Sequence, residues 1–160
     1  MKSLKIRSAV ATDVGAILSF IQDLAEFEKL SHEVVATEEK LRATLFGPRP
    51  VAEVLIAEWE GKPAGFALFF HSYSTFLAKP GIYLEDLFVR TQYRSLGIGE
   101  AMLKALANLA RERSCGRLEW SVLDWNERAL KFYRGLGAKP MSEWTVQRMT
   151  EEVFTKLADS

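Results

Sequence analysis

The sequence predicts a mixed α/β fold, with one central sheet of about seven strands flanked by about four helices. Two strand-like runs surround the turn Glu60-Gly61-Lys62, which indicates a hairpin. A buried strand and a long amphipathic helix fill residues 81–110, and strand and helix alternate again after Gly116. This order favours a sheet with antiparallel and parallel pairs. We expect a single domain spanning residues 1–160.

The composition is that of a soluble globular protein, with 48% hydrophobic and 26% charged residues. Lysine plus arginine equals aspartate plus glutamate, 21 each, so no global field attracts nucleic acid or an anionic membrane. We find no membrane-spanning run, and residues 1–13 become charged too soon to form a signal-peptide core. The single cysteine, Cys115, excludes an internal disulfide and favours the cytoplasm.

The first half of the chain divides into short periodic segments. Residues 4–8 alternate as a first strand, and Thr12 is expected to cap a helix that reaches about Lys29. Thr37 begins a second helix. That second helix should end near residues 46–48. Strands are expected at 54–59, 64–71 and 82–89, and an irregular loop at 72–80.

The second half adds a long helix after Gly97 and a shorter one capped by Asn126. The short helix should stop at Gly135 or Gly137. The other expected elements are strands at 118–122, 137–140 and 144–149, and a closing helix at 152–158.

A turn with two glycines, Arg94-Ser95-Leu96-Gly97-Ile98-Gly99, stands where the long helix begins. The first N–H groups of a helix have no intrahelical partner and carry the positive end of its dipole, so this turn suits an anion. Ordinary turn chemistry is the alternative. The apolar stripe of the helix comprises Ile98, Met102, Leu103, Leu106, Leu109 and Ala110.

Acidic residues mark the strand before this turn. Glu85 and Asp86 interrupt an apolar run, and strict alternation places them on opposite faces. At most one of the two can therefore face a bound ligand directly. Glu28, near the end of the first helix, belongs either to an acidic lip that receives a cationic substrate or to a solvated rim.

Two motifs resemble the signatures of the GCN5-related N-acetyltransferases (GNAT). The turn Arg94 to Gly99 matches Arg-x-x-Gly-x-Gly, and Asn126 with Ala129, Phe132-Tyr133 and Gly137-Ala138 resembles the second signature. The resemblance covers nearly the whole chain. It implies a sheet splayed between its central parallel strands, acetyl-CoA as co-substrate and no metal.

The same resemblance implies roles for individual residues. The amides of Arg94, Ser95, Leu96, Gly97, Ile98 and Gly99 would hold the pyrophosphate. The backbone of Leu87 and Val89, together with Asn126, would bind the pantetheine arm, and Tyr133 would lie near the acyl sulfur and protonate the departing thiolate. Glu85 would act as the general base or hold the water that does, while Asp86 would share that network or make a structural hydrogen bond.

At finer grain the sequence resembles the spermidine/spermine and thialysine acetyltransferase branch, through Tyr83 to Val89, Tyr93 to Gly99 and Trp125-Asn126-Glu127. This implies a homodimer and a small primary amine as acceptor. The segment Tyr73 to Leu77 lacks the aspartate that polyamine-specific enzymes carry, which favours a lysine analogue or short diamine over spermine. A protein lysine or N-terminus as acceptor, and an acyl-CoA sensor without turnover, are the alternatives.

Overall fold

The structure, a computed structural model, describes residues 3–160 and contains one mixed sheet, so the predicted fold class is confirmed. The order in the sheet follows the chain: the first four strands pair antiparallel, and the fifth pairs parallel to the fourth. The strands are β1 Leu4–Ser8, β2 Glu53–Trp59, β3 Lys62–Ser74, β4 Lys79–Val89 and β5 Leu118–Trp120. The helices are α1 Val14–Phe27, α2 Glu38–Leu45, α3 Ile98–Glu112, α4 Glu127–Gly135 and α5 Glu151–Ala158.

The chain divides into two compact units, one ending at Ser121 and the other formed by Val122–Ser160. The single domain expected over residues 1–160 stays a prediction. Within residues 3–160, no helix combines the length and the apolar character that crossing a bilayer requires.

The first unit contains three layers. Helices α1 and α2 cover one face of the sheet, where Phe20 of α1 stacks on Phe66 of β3 with ring centroids 5.2 Å apart. Helix α3 covers the other face, and Gly65 allows the methyl group of Met102 to approach β3 there. A Cβ atom at Gly65 would lie 2.6 Å from the carbonyl oxygen of Phe88, so this position requires glycine.

The starts of α1 and α2 show which local hydrogen bonds determine where a helix begins. Thr37 caps α2 as expected, because its Oγ1 accepts a hydrogen bond from the N–H of Lys40 at 3.1 Å. The expected cap at Thr12 is wrong, since a 3₁₀ turn at Ala11–Asp13 precedes α1. The carboxylate of Asp13 accepts the N–H of Val10 at 2.7 Å and is therefore the capping group of that turn.

The expected loop at 72–80 is wrong, because most of it continues the β3–β4 hairpin. Ser72 lies opposite Gly81, and Ser74 lies opposite Lys79, which leaves only residues 75–78 as the turn. The polar composition reflects exposure at the end of the hairpin, where Phe76 is 95% exposed, and not a lack of strand pairing.

The strands expected at 137–140 and 144–149 are wrong, so the described residues have five strands and not about seven, with five α-helices and not about four. Trp144 and Val146 do alternate as in a strand, but they are 78% and 80% exposed and have no neighbouring strand. A strand needs hydrogen bonds from a second segment, which the local pattern does not supply. By contrast, the closing helix, expected at 152–158, is present as α5.

Candidate active site

Strand β4 is paired on both sides only in its first half. Strand β5 lies alongside Ile82 to Leu84, whereas β3 accompanies β4 as far as Val89. The N–H of Arg90 donates to the carbonyl oxygen of Ala64 on β3 at 2.8 Å. Since backbone directions alternate along a strand, the N–H and C=O groups of Leu87 and Val89 face away from β3, toward the side that β5 leaves open.

One of these groups already has a partner. The Nε of Arg94 donates to the carbonyl oxygen of Val89 at 3.1 Å. The N–H of Val89 and both backbone groups of Leu87 remain directed toward the open side. This half of β4 therefore presents a short edge to which an extended amide-containing ligand can hydrogen-bond.

The turn from Arg94 to Gly99 brings backbone N–H groups together at the start of α3. Ser95 and Gly97 have left-handed φ angles of 66° and 80°, so the chain curls in a concave path before Ile98 begins the helix. The N–H of Arg94 donates to the carbonyl oxygen of Thr91, and the N–H of Ala101 donates to the carbonyl oxygen of Gly97. The amides between them line the positive end of a 15-residue helix.

Glu85 lies at a β-bulge. Leu84 is opposite Phe69 and Asp86 is opposite Leu68, so Glu85 is an extra residue between two consecutive pairs. The bulge breaks the alternation of the strand between Leu84 and Asp86, while the expected placement of Glu85 and Asp86 on opposite faces stays a prediction. Leu68 packs on the α1–α2 core, and Asp86, opposite it, lies on the same face of the sheet.

The bulge places Asp86 in an acidic cluster, defined here as Glu28, Glu85 and Asp86. The pKa of Asp86 rises from 3.8 to about 6, chiefly because burial disfavours the charged form, and also because Glu85 and Glu28 repel it. Burial also raises the pKa of Glu28, the residue that follows α1. Two segments that are distant in sequence thus bring three carboxyl groups into electrostatic range.

Two aromatic residues that the sequence did not predict as part of the site lie beside Arg94. Its guanidinium lies over the ring of Phe27, the last residue of α1, at 5.0 Å, and over Phe88 of β4 at 5.6 Å. Phe27 follows Leu24 by three positions and so continues the apolar face of α1, which was the available signal.

Two of the predicted site residues, Asn126 and Tyr133, lie in the second unit. Asn126 caps α4, because its Oδ1 accepts the N–H of Ala129 at 3.2 Å. Tyr133 lies in the middle of α4 beside Phe132, with ring centroids 5.5 Å apart. Burial raises the pKa of the Tyr133 hydroxyl, so this phenol holds its proton at neutral pH.

Residues 18–138 match the model of the acetyltransferase (GNAT) family. The chain belongs to this family. It is therefore an acyltransferase enzyme, and the resemblance drawn from the two motifs is confirmed.

Similar proteins cover the whole chain. A thialysine N-epsilon-acetyltransferase from Bos taurus is 40% identical over 99% of both chains, and the L-ornithine N5-acetyltransferase of Arabidopsis thaliana is 36% identical over 94% of this chain and 86% of its own. Among solved structures, an integron cassette protein from the mobile metagenome of V. cholerae has a TM-score of 0.82 and 28% identity over 99% of both chains. An aminoglycoside acetyltransferase from a soil metagenome shares the fold, with a TM-score of 0.73 and 23% identity over 92% of this chain and 94% of its own.

Membership of the GNAT family implies acetyl-CoA as the acetyl donor, and the turn before α3 fits its pyrophosphate. A Cβ atom at Gly99 would meet no atom within 4 Å, so the space over the first turn of the helix is open to an anion. The left-handed Gly97 directs adjacent amides into that space without a side chain in the way.

The raised pKa of Asp86 predicts a dependence of stability on pH. Between about pH 4 and pH 6 the folded chain retains this proton while the unfolded chain has lost it, so the free energy of unfolding falls as pH rises through that window. The loss amounts to roughly 2–3 kcal/mol above pH 6. We expect Asp86→Asn to raise the free energy of unfolding by about 2 kcal/mol at pH 8 and hardly at all at pH 4.

Urea unfolding of both proteins at the two pH values measures this difference. The control is Asp159→Asn, which removes an exposed carboxylate after α5. A gain of the same size at pH 4 and pH 8 would show that packing, and not ionisation, is responsible.

Proposed function

We propose that this enzyme transfers an acetyl group from acetyl-CoA directly to a small primary amine, a lysine analogue or short diamine. One observation carries the proposal: two acids of the cluster, Glu85 and Asp86, lie on β4 next to the one-sided edge at Leu87 and Val89. A cationic amine and an extended thioester ligand would therefore be received by neighbouring residues of one strand.

The reaction makes two demands on the enzyme, and both are proton transfers. Acetyl-CoA supplies the acyl group: the amine nitrogen bonds to the thioester carbonyl carbon, the carbon–sulfur bond breaks, and CoA leaves as a thiolate. Alkyl amines are mostly protonated at neutral pH, so the enzyme must remove a proton from the nitrogen. The thiolate in turn requires a proton.

The acidic cluster can meet the first demand. Glu85 is exposed at the bulge, where a carboxylate can reach an incoming ammonium or hold a water molecule that does. Asp86 has a pKa of about 6, closer to neutral pH than an ordinary carboxyl group, and therefore binds a proton more readily than an unperturbed aspartate does. We propose that Glu85 receives the amine proton, with Asp86 sharing the water network and Glu28 adding negative charge.

Tyr133 and Asn126 complete the proposal. The Tyr133 phenol retains its proton near neutral pH and is suited to protonate the departing thiolate. Asn126 holds the start of α4 through its cap and is proposed to bond to the pantetheine arm with its remaining hydrogen-bonding capacity. The turn from Arg94 to Gly99 is proposed to bind the pyrophosphate through its backbone.

The acceptor follows from the charges and from the relatives. An acidic cluster in which Glu85 and Glu28 raise the pKa of Asp86 favours a ligand with a cationic end, as in thialysine or ornithine, on which the two similar enzymes act. The turn of the β3–β4 hairpin contains no acid that would add a partner for a long polycation. We therefore expect short amines to be better substrates than spermine.

The test is release of free CoA from acetyl-CoA with spermidine, spermine, putrescine, lysine, thialysine, ornithine and a short lysine peptide. We expect the largest kcat/KM with thialysine, ornithine or another short amine. Preference for spermine would refute the interpretation of the hairpin turn. Release with the peptide alone would indicate a protein acceptor, and coenzyme binding without release would indicate a sensor.

The general-base role has its own signature. Glu85→Gln should depress kcat/KM most at low pH, where little free amine exists, and least at high pH. Tyr133→Phe, in contrast, should lower turnover roughly 10- to 1,000-fold with acetyl-CoA binding nearly unchanged. pH–rate profiles of both variants against the native enzyme measure the difference. A Glu85→Gln profile that overlays the native one would remove Glu85 from this role.

We also propose that the enzyme is a cytoplasmic homodimer, as the resemblance and the single cysteine suggest. Support comes from exposed apolar side chains near the C-terminus, where Trp144 and Val146 are 78% and 80% exposed. Light scattering should give twice the chain mass of 18.1 kDa. The double variant Trp144→Ser, Val146→Ser should give the mass of one chain. The control is Val35→Ser, which alters an isolated residue that is 74% exposed. A single mass for the native protein would contradict the proposal.

A further inference from the structure

Arg94 begins the turn that receives the coenzyme, yet its side chain is engaged elsewhere. Its Nε donates to the carbonyl oxygen of Val89 at 3.1 Å, and its guanidinium lies over the rings of Phe27 and Phe88 at 5.0 and 5.6 Å. Both ring distances are within the range of a cation–π contact. These three contacts fix the planar group at the junction of α1, β4 and the turn.

The contacts of Arg94 reach the residues beside two of the acids. Phe27 immediately precedes Glu28, and Phe88 lies two positions after Asp86 on the same face of β4. The end of α1 is a helix terminus, where the N–H of Glu28 donates to Leu24 and the chain then turns through Lys29 with a left-handed φ of 62°. Helix ends open locally at a lower free-energy cost than a packed core does, so a side-chain contact can hold this one in position against the sheet.

We infer that Arg94 is a positioning residue, whose guanidinium holds the end of α1 against β4 so that Glu28 stays within reach of Asp86. Its side chain thereby serves amine binding, whereas the backbone of the same turn serves the coenzyme. The inference rests on the proposed function, because it assigns Arg94 to the acceptor side of that site.

The electrostatics of the acidic cluster agree with this assignment. Glu28 contributes to the raised pKa of Asp86, so the two carboxyl groups are close although 58 positions separate them in the chain. In residues 3–160 the structure provides one other arginine that links the same elements: Arg90 donates to Asp23 at 2.7 Å and lies over Phe20 at 4.5 Å. That contact is with the middle of α1, whereas Arg94 contacts its last turn.

The decisive variant is Arg94→Lys. Lysine retains the positive charge that a phosphate ligand would need, but it lacks the Nε donor and the planar group that lies on two rings. We expect the KM for the amine to rise about tenfold, with kcat changed less than about threefold and the Kd for CoA changed less than about twofold. A phosphate-binding role predicts a large change in the Kd for CoA instead.

Hydrogen exchange gives a readout that does not require activity. In Arg94→Lys the amides of residues 24–30 should exchange at least about tenfold faster than in the native protein, because the last turn of α1 loses its contact with β4. Arg111→Lys is the matched control: this arginine lies in the last turn of α3, is exposed, and its side chain donates only to Asn108 among the hydrogen bonds described. It should change neither exchange nor kinetics.

Phe27→Leu is the second variant, needed if Arg94→Lys fails to fold. It removes one ring from the contact without touching the coenzyme turn, and should reproduce the faster exchange and the higher KM for the amine. Unchanged exchange at residues 24–30 in both variants would overturn the inference, as would a CoA affinity that falls tenfold in Arg94→Lys while the KM for the amine is unaffected. If the native enzyme acetylates no amine, the proposed function fails, and the exchange data still decide whether Arg94 holds α1.

Discussion

The unequal pairing of β4 is the constraint on which the rest of the site depends. Strand β3 stays with β4 to Val89, but β5 leaves after Leu84, so the backbone groups of Leu87 and Val89 that face away from β3 have no strand beside them. Such groups need partners. Arg94 supplies one for the carbonyl of Val89, and the others are available to an extended ligand. If β5 continued beside β4, the sheet would gain hydrogen bonds and the binding edge would be lost.

The bulge at Glu85 adds the second condition. It turns Asp86 toward the face where α1 ends and leaves Glu85 exposed, so acids from one strand and Glu28 from a helix converge. Their repulsion and partial burial disfavour the fully ionised cluster in the folded chain. A cationic ligand relieves that repulsion, and the relief contributes to binding. Stability is thereby reduced at the position where the charge of the proposed substrate would compensate for it, and such strongly perturbed groups are typical of functional sites.

The signals in the sequence that proved reliable are local. The cap of Thr37, the cap of Asn126 and the glycine turn before α3 each depend on residues within a few positions, and short-range chemistry decides them. The extended hairpin, the bulge and the missing strands after Gly137 depend on which segments pair, and periodicity does not encode a partner. For the same reason the contact of Arg94 with Phe27, 67 positions away, was beyond the reach of motif reasoning.

Arg94 also shows why a signature residue need not act through the group that the signature suggests. The turn binds an anion best through amides that are fixed before the ligand arrives, because rigid donors lose little entropy on binding. An arginine side chain that folds back onto Val89 and two aromatic rings leaves no flexible cation over the turn. The same contacts connect the end of α1, and hence Glu28, to β4. One residue would thus serve both halves of a bisubstrate site, the coenzyme through its backbone and the amine through the position of its side chain.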